Sequence, residues 1–233
     1  MSRVGIHQPE TFPWAGYFNK MLNSDIFVIL DDVQYKKNNF QNRNRIMMNG
    51  RPTWLTLPVD TKGRLSSTIK DMKIADTVDW KTRTLHLLEV AYSKCSYYEE
   101  VMTELRPIFT DVWYQYLMDF NMNFIIFIRE YLGIHTPIKF SSSLDINSHK
   151  TDLVFDICKE CGATTYLSGA GGRDYLDLTR FNEEGIKVVY QEFDESMTYK
   201  GMQEPYMSVL DIIMNNSKEE SLEYIRNAFN FKE

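Results

Sequence analysis

The 233-residue chain is 43% hydrophobic and 25% charged, near the globular average, which excludes a disordered or fibrous protein and leaves ample apolar material for a core. Its formal net charge of −6 excludes broad binding along a nucleic-acid backbone, which needs a basic face to release counterions. Three cysteines, in a chain that runs into a strand-like segment over 1–6 without an apolar leader, point to a reducing, cytoplasmic setting.

Residues 4–7 and 26–30 are short apolar runs ending in polar clusters, the pattern of buried parallel strands, with a crossover helix over 16–23 between them. Alternation over 54–59 predicts a third strand. Helical spacing over 79–90, 97–106 and 113–132, stopped by Gly133 and Pro137, predicts a helical middle subregion at about 79–133. The most apolar stretch, 120–128, is broken by Asn121 and Asn123 and closed by Arg129 and Glu130; it is too short for a bilayer and reads as a buried helix, so no membrane span is expected. A strand over 138–140 follows, then a helix capped by Ser148 or Thr151 and ending at Gly162. A strand over 164–167, a helix over 175–184, a strand over 186–190 and helices over 204–215 and 218–229 close the chain. The expected architecture is one α/β domain over 1–233, with a mostly parallel, Rossmann-like sheet and the helical middle subregion. Cys158 and Cys161 form a C-x-x-C, but they sit on the apolar face Leu153, Val154, Ile157; no second ligand pair accompanies them, so they read as core rather than zinc or redox ligands.

Open α/β sheets bind ligands beyond the carboxyl ends of their strands, and three segments fall there. His7-Gln8-Pro9 follows the first strand and leads to Trp14 and Tyr17; a His held by a proline-stiffened loop can exchange protons near neutral pH, against the alternative of a buried structural His. Asp31 and Asp32 follow the second strand and precede Gln34, Tyr35, Gln41, Asn42 and Arg43, donors and acceptors suited to a polyoxygenated ligand or to a solvated loop. Ser168, Gly169, Gly171, Gly172, Arg173 and Tyr175 lie between a strand and a helix, where glycines let backbone N–H groups converge on an anion and Arg173 adds charge. The last segment matches neither the dinucleotide fingerprint nor the P-loop, and the alternative is a plain tight turn.

Taken together, the blocks His7-Gln8-Pro9, Phe12-Pro13-Trp14, Gly16-Tyr17-Phe18, Asp32-Val33-Gln34-Tyr35, Phe40-Gln41-Asn42-Arg43-Asn44, Trp54-Leu55-Thr56, Tyr166-Leu167-Ser168-Gly169, Asp174-Tyr175-Leu176, Tyr190-Gln191 and Ser208-Val209-Leu210-Asp211 resemble the WbqC-like family. The resemblance implies a setting among bacterial genes for O-antigen, lipopolysaccharide and other surface polysaccharides. In that setting the expected activity is acyl or aminoacyl transfer, for example of glycine, to a nucleotide-linked amino sugar, with an acyl or peptidyl carrier protein as a possible partner and no cofactor or metal. His7 is then the expected base, Asp32 its orienting carboxylate, and Asn42 or backbone amides the oxyanion donors; Gln8, Trp14, Tyr17, Asp31, Gln34, Tyr35, Gln41, Arg43 and the 168–175 segment are expected to bind substrate. The opening is also distantly similar to adenylyl-transferring folds, although Trp14-Ala15-Gly16-Tyr17 stands where those carry H-x-G-H. The alternatives are a non-catalytic partner that binds the sugar nucleotide or a carrier protein, and a diverged nucleotidyltransferase using Mg²⁺ on Asp31 or Asp32.

Overall fold

A computed structural model describes residues 2–64 and 66–233; Met1, where the expected leaderless start begins, and Leu65 lie outside the described residues. The first apolar run forms β1 (Arg3–His7), helix α1 (Ala15–Leu22) crosses over, and β2 (Ile26–Ile29) pairs parallel to β1 with His7 level with Ile29. Two strands, β3 (Arg43–Met48) and β4 (Arg51–Thr56), then pair antiparallel with each other as a separate hairpin. The expected strand over 54–59 is therefore only part of a hairpin arm and lies outside the main sheet. The hairpin closes on Asn49-Gly50, both left-handed at φ 51° and 71°, the turn whose twist matches that of its strands.

Helices α2 (Trp80–Tyr92), α3 (Tyr98–Thr110) and α4 (Leu117–Tyr131) make the middle subregion, and β5 (Ile138–Phe140) returns to the sheet beside β2. Residues 113–116, expected as helix, are non-helical, and Tyr116 bridges Lys73. Helix α5 (Thr151–Glu160), β6 (Thr165–Ser168), α6 (Leu178–Glu183), β7 (Lys187–Phe193), α7 (Val209–Asn215), α8 (Lys218–Asn227) and β8 (Phe229–Lys232) complete the chain. Helix α6 starts later than expected because Asp177 caps it. Residues 204–208 stay irregular because Pro205 is followed by Tyr206 at φ 62°, and Ser208 caps α7. The final strand β8, antiparallel to β7, begins at Phe229, the last residue of the helix expected over 218–229, and runs through 230–232, where no element was expected.

The sheet order is β5-β2-β1-β6-β7-β8. The chain fills one side of β1 first and then the other, so the direction of winding reverses between β1 and β6. Strand residues alternate between two cores: Phe27 and Ile29 face the larger one, with α1 and α2–α4, whereas Val4, Ile6 and Val28 face a second one with α5 and Phe181. Cys158 and Cys161 pack into the second core as free thiols, and burial pushes Cys158 up.

Asn121 joins the layers. It lies on α4, fully buried, and its Nδ2 donates to the Gln41 carbonyl at 2.8 Å and the Pro9 carbonyl at 3.3 Å, while its Oδ1 accepts from the Thr11 hydroxyl at 2.6 Å. One carboxamide thus ties the loops after β1 and β2 to the helical subregion. Asn121→Ala leaves two buried carbonyls without this donor and should cost about 2–4 kcal/mol, read by urea denaturation. Asn123→Ala, which removes one half-buried bond to the Tyr114 hydroxyl, should cost less than about 1.5 kcal/mol.

Candidate functional site

The reversal point of a doubly wound sheet leaves a crevice where neighbouring crossovers diverge. Here a cavity of about 250 Å³ opens at the carboxyl ends of β1 and β6, lined by His7, Gln8, Lys20, Tyr166, Gly169 and Tyr175 among others. Strand register explains its walls. Gly5 pairs with Leu167, so two residues further His7 stands level with Gly169.

Four titratable groups meet beside β1, and two of them, His7 and Lys20, line the crevice. His7, mostly buried, contacts the Tyr17 ring edge at 4.8 Å, and Nδ1 lies 3.1 Å from the Gln8 carbonyl. Burial, with the Lys20 charge adding, holds its imidazole down to about 3. The neutral ring donates Nδ1–H to Gln8 and leaves Nε2 as an acceptor. The Glu10 carboxylate lies 3.8 Å from Nδ1, too far for a hydrogen bond, and its buried Oε2 has no hydrogen-bond partner among the described residues. Burial raises Glu10 to about 7, with Lys20 pulling the other way. Lys20 is 2% exposed, and burial lowers it to about 8 against the opposing pull of Glu10. The buried Tyr17 hydroxyl also has no partner among the described residues, and burial drives it well above its ordinary value.

Of the residues expected from sequence, the crevice brings together His7, Gln8, Gly169, Gly171, Gly172 and Tyr175. Tyr17 packs on His7, Gln41 donates to the Gln8 side chain at 2.7 Å, and Ser168 lies beneath Gly172, where an added Cβ would fall 2.0 Å from its hydroxyl.

The others are engaged elsewhere. Asp31 accepts from the Ser142 amide at 3.0 Å and the Ser141 and Ser142 hydroxyls at 3.0 and 2.7 Å, fastening the turn after β5. The hydrogen bond of Asp32 is to Ser141, so the carboxylate beside His7 is that of Glu10. Asn42 donates to the Leu57 carbonyl at 2.9 Å beneath the hairpin. Arg43 stacks 4.2 Å over Trp54, Gln34 bridges Thr68, and buried Tyr35, pushed up to about 12 by burial, is walled off from solvent. Trp14 packs on Phe193, Tyr206 and Phe229. Arg173 pairs with Glu192 at 3.0 Å and stacks on Tyr190 at 4.2 Å, which draws its charge to the β7 edge.

A roomier cleft, about 530 Å³, lies between residues 73–81 and 113–115, away from the strand ends. Its residues include no buried, unpartnered ionisable group like those beside β1, so the chemistry is assigned to the smaller crevice.

A model of the WbqC-like protein family matches residues 8–223, which include this crevice's walls from Gln8 to Tyr175. The chain belongs to the WbqC-like family. It is also 34% identical over 229 residues, 97% of this chain and 98% of the other, to the Mycobacterium tuberculosis (strain ATCC 25618 / H37Rv) protein named Uncharacterized protein Rv1507c. No solved structure matches it. No helix among the described residues of this WbqC-like chain is long and apolar enough to cross a membrane.

Glu10 and Lys20 were not expected from sequence. Glu10 stands three residues after His7, and Lys20 interrupts the buried face Tyr17, Phe18, Met21 of α1. A lysine on an apolar helix face was the available signal.

The ionisation of Glu10 sets a pH signature. Its folded value, about 7, lies above its ordinary 4.5. The carboxyl therefore contributes stability below pH 4.5 that is lost as pH rises to 7. Glu10→Gln removes that loss, so the variant's stability advantage should grow between pH 4.5 and 7, by up to about 3 kcal/mol, and then level off. Urea denaturation across pH 4.5–8 reads the difference.

Proposed function

We propose that this WbqC-like protein is a transferase that forms an amide on a nucleotide-linked amino sugar, taking an acyl or aminoacyl group such as glycyl from a thioester on a carrier protein or comparable donor. O-antigen or related surface-polysaccharide synthesis is the setting that the resemblance implies. The observation that carries the reading is a crevice at the sheet's reversal point that His7 lines, with the buried carboxylate of Glu10 3.8 Å from the imidazole Nδ1.

An amino sugar reaches neutral solution largely as its ammonium and must lose a proton before its nitrogen attacks. A carboxyl raised to about 7 is divided between its two forms near neutrality, as a proton acceptor that must later release its proton requires. His7, held near 3, is too weak a base to retain the proton, so its Nε2 is assigned to orient the amine and Glu10 to accept the proton. Glu10 first passes the ammonium proton on to solvent; the nitrogen then bonds to the acyl carbon, gives its second proton to Glu10 as the C–S bond breaks, and Glu10 returns that proton to the leaving thiolate. The reading thus moves the base from His7 to Glu10 and the orienting part from Asp32 to His7. The bonds Asp31 accepts from Ser141 and Ser142 count against a Mg²⁺ role in nucleotidyl transfer.

The test is to incubate the protein with UDP- and dTDP-linked amino sugars and glycyl or acetyl thioesters, and to follow product mass. A sugar nucleotide heavier by the acyl group is expected, with kcat lowered about 10²- to 10⁴-fold by Glu10→Gln. Binding without product from any pair would favour the non-catalytic partner.

A further inference from the structure

We propose that Lys20 is the anion-binding residue of the crevice and that its ligand is a phosphoryl group, held between its ammonium and the backbone of the 168–172 turn. The inference rests on the transferase reading only for which substrate brings the phosphate.

The side chain is built into its place. An added Cβ on Gly5 would lie 3.4 Å from Lys20 Cγ and 2.3 Å from the Ser24 hydroxyl, so the glycine in β1 makes room for helix α1 and for the lysine stem across the strand. The amine emerges at the carboxyl edge, 3.5 Å from where a Gly169 Cβ would stand, and Lys20 lines the crevice. Among the described residues its amine makes no hydrogen bond and no ion pair, although the residue is 2% exposed.

The amine of this nearly enclosed residue reaches the crevice; leaving an ammonium there unpaired is costly, and an anion at the amine offsets that cost. Of the carboxylates, only Glu10 acts on it, and that group is itself divided between charged and neutral forms at neutral pH. The expected phosphate cation, Arg173, is occupied by Glu192 and Tyr190. Gly169 and Gly171 line the space opposite, and a Cβ at Gly171 would meet nothing within 4 Å; the turn therefore offers open backbone to a group with several oxygens. A tetrahedral phosphoryl group can meet both the ammonium and that backbone. The group can come from the diphosphate of a nucleotide-linked sugar or from the phosphates of a pantetheine-type donor.

The test is calorimetric titration of the full chain with pyrophosphate, UDP and coenzyme A, and with malonate as a carboxylate control. Wild type, Lys20→Met and Gly169→Val are compared, with ligand-free thermal unfolding as the check on folding. Pyrophosphate and at least one of UDP and coenzyme A should bind wild type, and Lys20→Met should weaken them about 10- to 100-fold, the loss of one charge-assisted contact. Gly169→Val places its side chain against the amine and should weaken them without removing the charge, which keeps the proposal testable if the methionine variant does not fold. Preference for UDP assigns the phosphate to the acceptor; preference for coenzyme A assigns it to the donor. No binding of any phosphate probe, equal affinity in both variants, or malonate binding as tightly as pyrophosphate would overturn the assignment. Phosphate binding that depends on Lys20, without amide product in the preceding assay, upholds this site while counting against the transferase.

Discussion

The buried carboxamide of Asn121 holds the loops that carry the candidate chemistry. Loops after parallel strands have backbone groups that no strand pairs, and burying them requires partners from elsewhere. Asn121 supplies them to Pro9 and Gln41, and Thr11 closes the knot from the loop after β1. Gln41 is thereby positioned to bond Gln8, and Gln8 accepts from His7 when the imidazole is neutral. The orientation of His7 thus traces back, bond by bond, to a helix about 110 residues further along the chain.

A second constraint is steric. Gly5 and Gly172 are positions where a side chain does not fit, the first because of the Ser24 hydroxyl and the Phe27 ring, the second because of the Ser168 hydroxyl and Leu176. Close approach at these positions packs α1 against β1 and the 168–172 turn against β6, and Glu10 and Lys20 are buried beside them. Desolvation is the largest influence on both groups, and their attraction only partly offsets it.

The parallel strands were legible because a strand buried on both faces is a continuous apolar run, as Val4 to Ile6 and Ile26 to Ile29 show. The first arm of the hairpin was not: Arg43, Asn44 and Arg45 read as a polar loop, and only the Asn49-Gly50 turn marked it. The last strand, Phe229–Lys232, follows α8 with one residue between them, so the helical pattern took in Phe229 and the strand after it went unread. At the site, the strand-end rule found His7, Gln8 and the glycine turn, since it depends on chain order alone. It also drew in Asp31, Asp32, Asn42 and Arg173, because sequence shows which polar groups are present but not which are already bonded to protein. Glu10 and Lys20 escaped for the converse reason: charged residues default to the surface, and these two are buried by the packing around β1 and α1.

The pairing of β1 with β6 has a kinetic side. The amide of Ser2 bonds the Thr164 hydroxyl across 162 residues, and the two walls of the crevice meet only when that contact closes. Strands β1 and β2, by contrast, are joined by a short crossover, and the β3–β4 hairpin by two residues. Closing a loop of such length is entropically disfavoured until much of the intervening chain has condensed. The β1–β6 contact is therefore the one that is entropically costly to close, and a chain that ends before residue 168 lacks the glycine turn that forms one wall of the crevice.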